Sequence, residues 1–204
     1  MGLIHIDLFA TLDLVAQAPG TPQEDPEGFP FGGWQAPLFD DTVGKQVGAG
    51  MTAMDALLLG RRTYDIFAAH WPNQAGDIAA LFNRLPKYVA SRGEPSLDWA
   101  GSTLLGPDLV SAVRQVRDRH EHVHVIGSLN LVQTLLRERL FDELNLWLFP
   151  IVLGVGKKVF DGGAVPANLT LLEPPATSAK GAVLLRYGLG EGVPAVGDMG
   201  GRAS

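Results

Sequence analysis

The 204-residue chain contains no cysteine. That excludes disulfides, thiolate zinc sites, iron–sulfur clusters and cysteine nucleophiles, and it fits a reducing cytoplasm. Basic residues are also sparse: 16 Lys and Arg stand against 22 Asp and Glu, for a formal charge of −6. With no basic block, a nucleic-acid partner or an anionic membrane surface is disfavoured. No apolar run reaches the ~18 residues of a membrane span. The start, M-G-L-I-H-I-D, has no basic n-region and no signal-peptide shape. No repeat period is visible, and the length fits one domain.

What is present is an alternation of short apolar strands and amphipathic helices. Val123 to Ile126 reads as a strand that stops at Gly127. Ser128 then serves as N-cap of a helix with Leu129, Val132, Leu135, Leu136 and Leu140 on its core face. A strand that stops at a glycine and opens a helix aims bare backbone N–H groups and the positive end of the helix dipole at one spot, which suits a phosphate. The chain makes this unit twice. Ala56 to Leu59 runs into Gly60-Arg61-Arg62-Thr63-Tyr64 in the same way.

Around these units the sequence predicts a first strand over Leu3 to Phe9 and a long loop over Thr21 to Trp34. Phe29, Phe31 and Trp34 make that loop a packed lid. A helix is expected over Pro37 to Met51, with Asp40 and Asp41 in its first turn. Lys87 to Ala90 reads as a strand followed by Ser91-Arg92. Thr103 to Leu105 is another strand, and Pro107-Asp108 caps a helix carrying Leu109, Val113 and Val116. Glu143 to Val152 is a long strand. Leu169 to Glu173 and Ala182 to Tyr187 form a closing antiparallel pair. The expected architecture is one α/β domain over residues 1–187 with a mostly parallel sheet and an antiparallel edge. A Gly-rich, flexible tail is expected over 188–204.

Two motif-like stretches carry no weight. His120-Glu121-His122-Val123-His124 has H-E-x-x-H spacing, but its second histidine falls in a strand, so no metal site is expected. Gly154-x-Gly156-Lys157 lacks the third glycine of a dinucleotide fingerprint.

The pieces that converge lie at carboxyl ends of strands, where open α/β sheets bind ligands. They are Thr11-Leu12-Asp13, Gly60-Arg61-x-Thr63, Ser91-Arg92 and Gly127-Ser128. Two helix N-termini can hold a pyrophosphate from two sides. A Ser-Arg pair can hold a third phosphate through charge-assisted hydrogen bonds. Three phosphate positions without a P-loop describe NADPH better than ATP.

These stretches resemble the dihydrofolate-reductase-like superfamily, in particular stand-alone relatives of the reductase domain of the bifunctional riboflavin-biosynthesis deaminase/reductase. The resemblance rests on T-L-D-L-V-A-Q-A-P-G (11–20), G-G-W (32–34), L-L-L-G-R-R-T-Y (57–64), K-Y-V-A-S-R (87–92), V-I-G-S (125–128) and D-E-L…P-I-V-L-G-V-G-K-K-V-F (142–160). It implies a three-layer sandwich with a central sheet of about eight strands, an NADPH site and a homodimer. By position, Gly60, Arg61 and Thr63 would bind the cofactor phosphates, and Ser91 and Arg92 the adenosine 2′-phosphate. Gly127, Ser128 and Leu129 would take the pyrophosphate, with Gly154 and Gly156 also counted at the cofactor. The first-strand motif departs from the family at Leu14, where a glycine is usual. Leu14 does not adopt positive φ cheaply, so the loop is expected to differ.

The expected activity is transfer of a hydride from NADPH to a C=N or C=O bond of a small pterin-, pyrimidine- or sugar-like substrate. Asp13, walled by Leu12, Leu14 and Val15, is the expected proton donor, its pKa raised by apolar neighbours. Asp40 and Asp41 are second candidates beside the substrate, and Trp34 is a candidate wall of its pocket. A non-catalytic NADPH-binding protein and folate reduction itself remain as alternatives. Trp147 and Phe149, pointing away from Leu144 and Leu148, are expected to be covered by the partner of a homodimer.

Overall fold

The computed structural model describes residues 1–162 and 164–198. Its frame is set by β1 (Leu3–Thr11), β2 (Ala56–Gly60), β3 (Lys87–Ala90), β4 (Ser102–Leu104), β5 (His122–Val125) and β6 (Glu143–Phe149). These six strands run parallel, in the spatial order β4-β3-β2-β5-β1-β6. Then β9 (Val183–Leu189) adds antiparallel to β6. The short strands β7 (Leu169–Leu171) and β8 (Ala176–Thr177) pair with β9 in turn.

The helices lie on both faces. α4 (Leu109–Arg119) and α5 (Leu129–Arg137) cover one. Ile4, Ile6, Leu8 and Ala10 of β1 pack there against Val113, Val116, Val132 and Leu135. The alternate residues of β1 face the other side. At one end of that side Phe9 joins Trp34, Trp147, Phe149 and the helix α1 (Asp41–Gly50) through Val43 and Val47. At the other end Leu57, Leu59 and Val89 pack against α2 (Arg61–His70) and α3 (Asp77–Arg84) through Tyr64 and Phe82. The result is a three-layer sandwich. No helix among the described residues is long and apolar enough to cross a membrane.

Several boundaries differ from the sequence reading, each for a local reason. α1 starts at Asp41, not Pro37, because the Asp40 side chain accepts from the Val43 N–H at 3.0 Å and caps it there. Pro37 sits in a separate short turn, Ala36–Leu38. β6 ends at Phe149 because Pro150 has no N–H to continue the ladder. β9 runs to Leu189, two residues past the expected Tyr187, and the Gly190 N–H donates to the Asn168 carbonyl at 2.8 Å. Of the remainder of the expected tail, 190–198 forms no helix or strand, and 199–204 lies outside the described residues. Leu14 does take the left-handed conformation, with φ +66°. Its N–H donates to Thr11 O, and its carbonyl accepts from Val159 N–H. A leucine thus takes the left-handed conformation at the position where the family usually has glycine, against the expectation that it would avoid it.

The reason given for a partner-covered face is also corrected. Trp147 and Phe149 are 5% and 0% exposed. Trp34, α1 and the segment before it cover them within the same chain.

Candidate functional site

A large cleft, about 1140 Å³, opens along the carboxyl ends of β1, β2, β3 and β5. Its outer end is built from two helix starts pressed together. The Gly60 N–H donates to the Gly127 carbonyl at 3.0 Å. A Cβ on Gly60 would stand 2.1 Å from Ser128 Oγ and 2.8 Å from Ser128 N. A Cβ on Gly127 would stand 2.7 Å from Thr63 Oγ1, and Gly127 has φ +141° with a cis peptide to Ser128. Only glycine at both positions lets α2 and α5 begin this close.

Capping distinguishes these helices. α1 and α4 are capped by the side chains of Asp40 and Asp108. α2 and α5 have Gly60 and Ser128 as N-caps and no side-chain cap bond. α3 also starts without one, at Gly76, away from the cleft. The first-turn N–H groups of α2 and α5 are therefore donors without a side-chain acceptor, side by side in a concavity. Ser91 and Arg92 stand at the rim beyond β3, and Arg92 makes no ion pair among the described residues. Arg61 lies in the cleft but is tied to Asp65 at 2.8 Å. This donor set fits a pyrophosphate with one further phosphate at the rim.

The rest of the cleft forms its inner end. Phe9, Phe67, Trp71 and Ile126 line it, together with Asp7, Gln17 and Gln35. Gln35 Nε2 and Trp71 Nε1 are buried and have no partner there. Buried donors in native proteins are nearly always paired, so two orphans on one cleft fit an acceptor supplied by a ligand. The lid crosses the mouth. Glu27 on it accepts from Arg62 of α2 at 2.9 Å, and Lys157 approaches Glu27 and Asp25 at 3.7 and 3.9 Å. Gln17 donates to Asp25 from below. Glu24 accepts from the Gly20 and Thr21 N–H groups, and burial holds its carboxyl above the usual carboxylate range.

The expected residues divide into two sets. Gly60, Arg61, Thr63, Ser91, Arg92, Gly127, Ser128 and Leu129 all line the cleft. Asp13, Trp34, Asp40, Asp41, Gly154 and Gly156 do not. Asp13 accepts from Thr11 Oγ1 at 2.6 Å, Leu153 N–H at 3.2 Å and Gly154 N–H at 2.9 Å. The Thr11 hydroxyl foremost, then those N–H groups, hold its carboxyl down to about 2. The expected apolar wall does not form: Leu12 is 63% exposed, and Leu14 and Val15 pack into the core clusters. Asp13 is a loop tie. Asp40 is spent as the cap of α1 and accepts from Lys180 N–H as well. Asp41 sits in the first turn of the same helix. Trp34 is core, its Nε1 donating to Gln17 O at 2.9 Å. Gly154 meets Asp13, and Gly156 gives way to Val15 and Phe29, which a Cβ would meet at 2.7 and 3.0 Å.

Sequence reasoning missed Asp7, Gln35, Phe67 and Trp71. Asp7 had a signal: a carboxylate in the middle of a strand whose alternate residues are Ile4, Ile6 and Leu8. The other three sit in loop and helix positions with no pattern of their own.

Comparison with known proteins gives the family and the fold. The model of the RibD C-terminal domain matches residues 3–181. YyaP of Bacillus subtilis (strain 168) is 24% identical over 143 residues, 67% of this chain and 75% of that protein. A protein of Shewanella sp. PV-4 provisionally assigned to riboflavin biosynthesis superposes with a TM-score of 0.72 at 18% identity, over 93% of this chain and 99% of that one. Dihydrofolate reductase from Enterococcus faecalis, solved with NADP(H), superposes with a TM-score of 0.60 at 13% identity, over 93% and 98%. The fold is therefore dihydrofolate-reductase-like, and the chain belongs to the RibD C-terminal domain family.

Proposed function

We propose that this chain is an NADPH-dependent reductase acting on a C=N or C=O bond of a small pterin-, pyrimidine- or sugar-like substrate. The observation that carries the reading is the junction of two helix N-termini without side-chain caps, held together through Gly60 and Gly127 and facing a rim with Ser91 and Arg92. Gly60, Arg61, Thr63 and Gly127 to Leu129 hold the pyrophosphate, with backbone N–H groups as donors. Ser91 and Arg92 take the 2′-phosphate, which separates NADPH from NADH. NADPH, when bound, supplies the hydride. The inner end receives the substrate between Phe9, Phe67 and Trp71, where Gln35 Nε2 and Trp71 Nε1 offer donors to its acceptor atoms. The lid excludes water, fastened by Glu27 to Arg62. The family membership and the NADP(H) complex of the Enterococcus faecalis enzyme support the same reading.

The test is NADPH oxidation followed at steady state against a panel of pterins, flavin precursors and keto-sugars. Oxidation that depends on one panel member supports the reductase. NADPH binding with no oxidation across the panel reduces the chain to a non-catalytic NADPH-binding protein. A homodimer belongs to the proposal too, and a monomer by light scattering at micromolar concentration contradicts it.

A further inference from the structure

Five carboxylates line the cleft: Asp7, Glu24, Asp25, Asp65 and Asp161. Three are already engaged by the chain. Asp65 pairs with Arg61, Asp25 with Gln17 and Lys157, and Glu24 holds the lid's own N–H groups. Asp161 stands at the exposed margin. Asp7 differs in place and in partners. It lies in the sheet floor on β1, and its side chain is 12% exposed. One oxygen accepts from His124 Nδ1 at 2.7 Å, the other from Asn145 Nδ2 at 2.9 Å. It alone of the five is bonded to an imidazole, a group that carries a proton near neutrality.

We propose that Asp7 and His124 form the dyad that delivers the proton of the reduction, Asp7 as the catalytic residue and His124 as the positioning residue. The proposal rests on the reductase reading above. As hydride from the nicotinamide adds to the carbon of the C=N or C=O bond, the π pair moves onto nitrogen or oxygen. That atom takes one proton from the dyad through an oxygen of Asp7. The cofactor is oxidised, the substrate reduced, and the dyad is left one proton poorer. As Asp7 passes this proton to the substrate it takes the Nδ1 proton of His124, so it ends as a carboxylate held by Asn145 Nδ2, and His124 ends as a neutral imidazole that regains its proton from solvent.

The groups facing the dyad fit a unit that carries a single proton. His5, the neighbour on β1, stacks on His124 with ring centroids 4.5 Å apart. Burial first, and then His124, push the His5 ring below its ordinary value. His5 in turn meets Glu143 Oε2 at 3.2 Å and His122 Nδ1 at 3.0 Å. Arg186 of β9 holds Glu143 at 3.2 Å and Asn145 Oδ1 at 3.3 Å. Two stacked imidazoles do not both charge readily, and of the two it is His124 that lies against the Asp7 carboxylate.

The experiment has a part that needs no substrate. Histidine ring signals of the whole protein are titrated by NMR, for the wild type and for Asp7→Asn, a near-isosteric change. The proposal expects the His124 midpoint to fall by roughly half a pH unit or more once the carboxylate is gone. An unmoved His124 midpoint overturns it. NADPH binding, read by fluorescence, is expected to be unchanged in the variant. Loss of NADPH binding in the wild type itself refutes the reductase reading instead, so the two failures are distinguishable. Turnover with any panel substrate is expected to fall about 10²–10⁴-fold in Asp7→Asn, in kcat with KM little changed. Retained kcat overturns the proposal even if the titration moves. If Asp7→Asn does not fold, His124→Gln gives the same test through the Asp7 carboxyl carbon signal, whose midpoint is then expected to rise.

Discussion

The carboxylate of Asp13 accepts hydrogen bonds from the backbone N–H groups of both Leu153 and Gly154, residues 140 and 141 positions away. It ties the turn after β1 to the loop after β6, with Thr11 Oγ1 as a third donor. Its pKa, held at about 2 against an ordinary value of 3.8, makes the tie dependent on pH. The folded value is the lower one, so the stabilisation is complete above pH 4 and disappears as pH falls through 2. Asp13→Asn is expected to lose about 1–2 kcal/mol of unfolding free energy at pH 7 and to keep NADPH affinity. Chemical denaturation at pH 7 and pH 2 reads this directly. A variant as stable as the wild type at pH 7 contradicts the tie.

Lys87 opens β3 with a side chain that is 0% exposed. Its ammonium donates to the Asn83 and Ala100 carbonyls, each at 3.0 Å, and lies 4.3 Å from the Trp99 ring centre. No carboxylate pairs with it among the described residues, and burial pulls its pKa down to about 8. Between pH 8 and 10.5 the unfolded chain binds the proton and the folded chain does not, so stability rises with pH in that window. The gain is at most about 3 kcal/mol. Urea unfolding at pH 8 and pH 10 is expected to show this gain relative to Lys87→Met, which lacks it. An equal pH response in both proteins contradicts the assignment.

Gly60→Ala tests the helix junction. The added methyl would enter the space of Ser128 Oγ and the Ser128 amide, and the backbone atom has nowhere to go. A loss of about 1–3 kcal/mol in stability is expected from overpacking, together with weaker NADPH binding as the two helix starts separate. Gly48→Ala, in open space inside α1, is the control: it is expected to leave NADPH binding unchanged and to raise stability by about 0.5–1 kcal/mol. NADPH affinity retained in Gly60→Ala contradicts the role given to the junction.

Much of this was legible in the sequence where one residue type has one physical use. The Gly60 and Gly127 stops and the Ser91-Arg92 pair, read at the ends of strands, all fall on the one cleft. The inner end was not legible. Asp13 reads as a carboxyl in an apolar stretch, and only long-range pairing with Leu153 and Gly154 reveals a tie. Asp40 reads as a cleft acid or as a first-turn acid that suits the helix dipole, and the bond to Val43 makes it instead the cap. Trp147 and Phe149 present an apolar face whose cover could come from a partner or from the chain. A lid more than a hundred residues earlier supplies it through Trp34. Asp7 depends on His124 and Asn145, contributed by strands that meet β1 only in the folded sheet.

The central claim is that the cleft between α2 and α5 binds NADPH and reads its 2′-phosphate. Its most direct measurement is a fluorescence titration of wild type and Arg92→Ala with NADPH and with NADH. One saturable NADPH site per chain is expected in the wild type. Arg92→Ala is expected to weaken NADPH by about 1.5–3 kcal/mol, roughly 10- to 100-fold, and to leave NADH nearly unchanged. Equal losses for the two cofactors, or no saturable NADPH binding in the wild type, would contradict it.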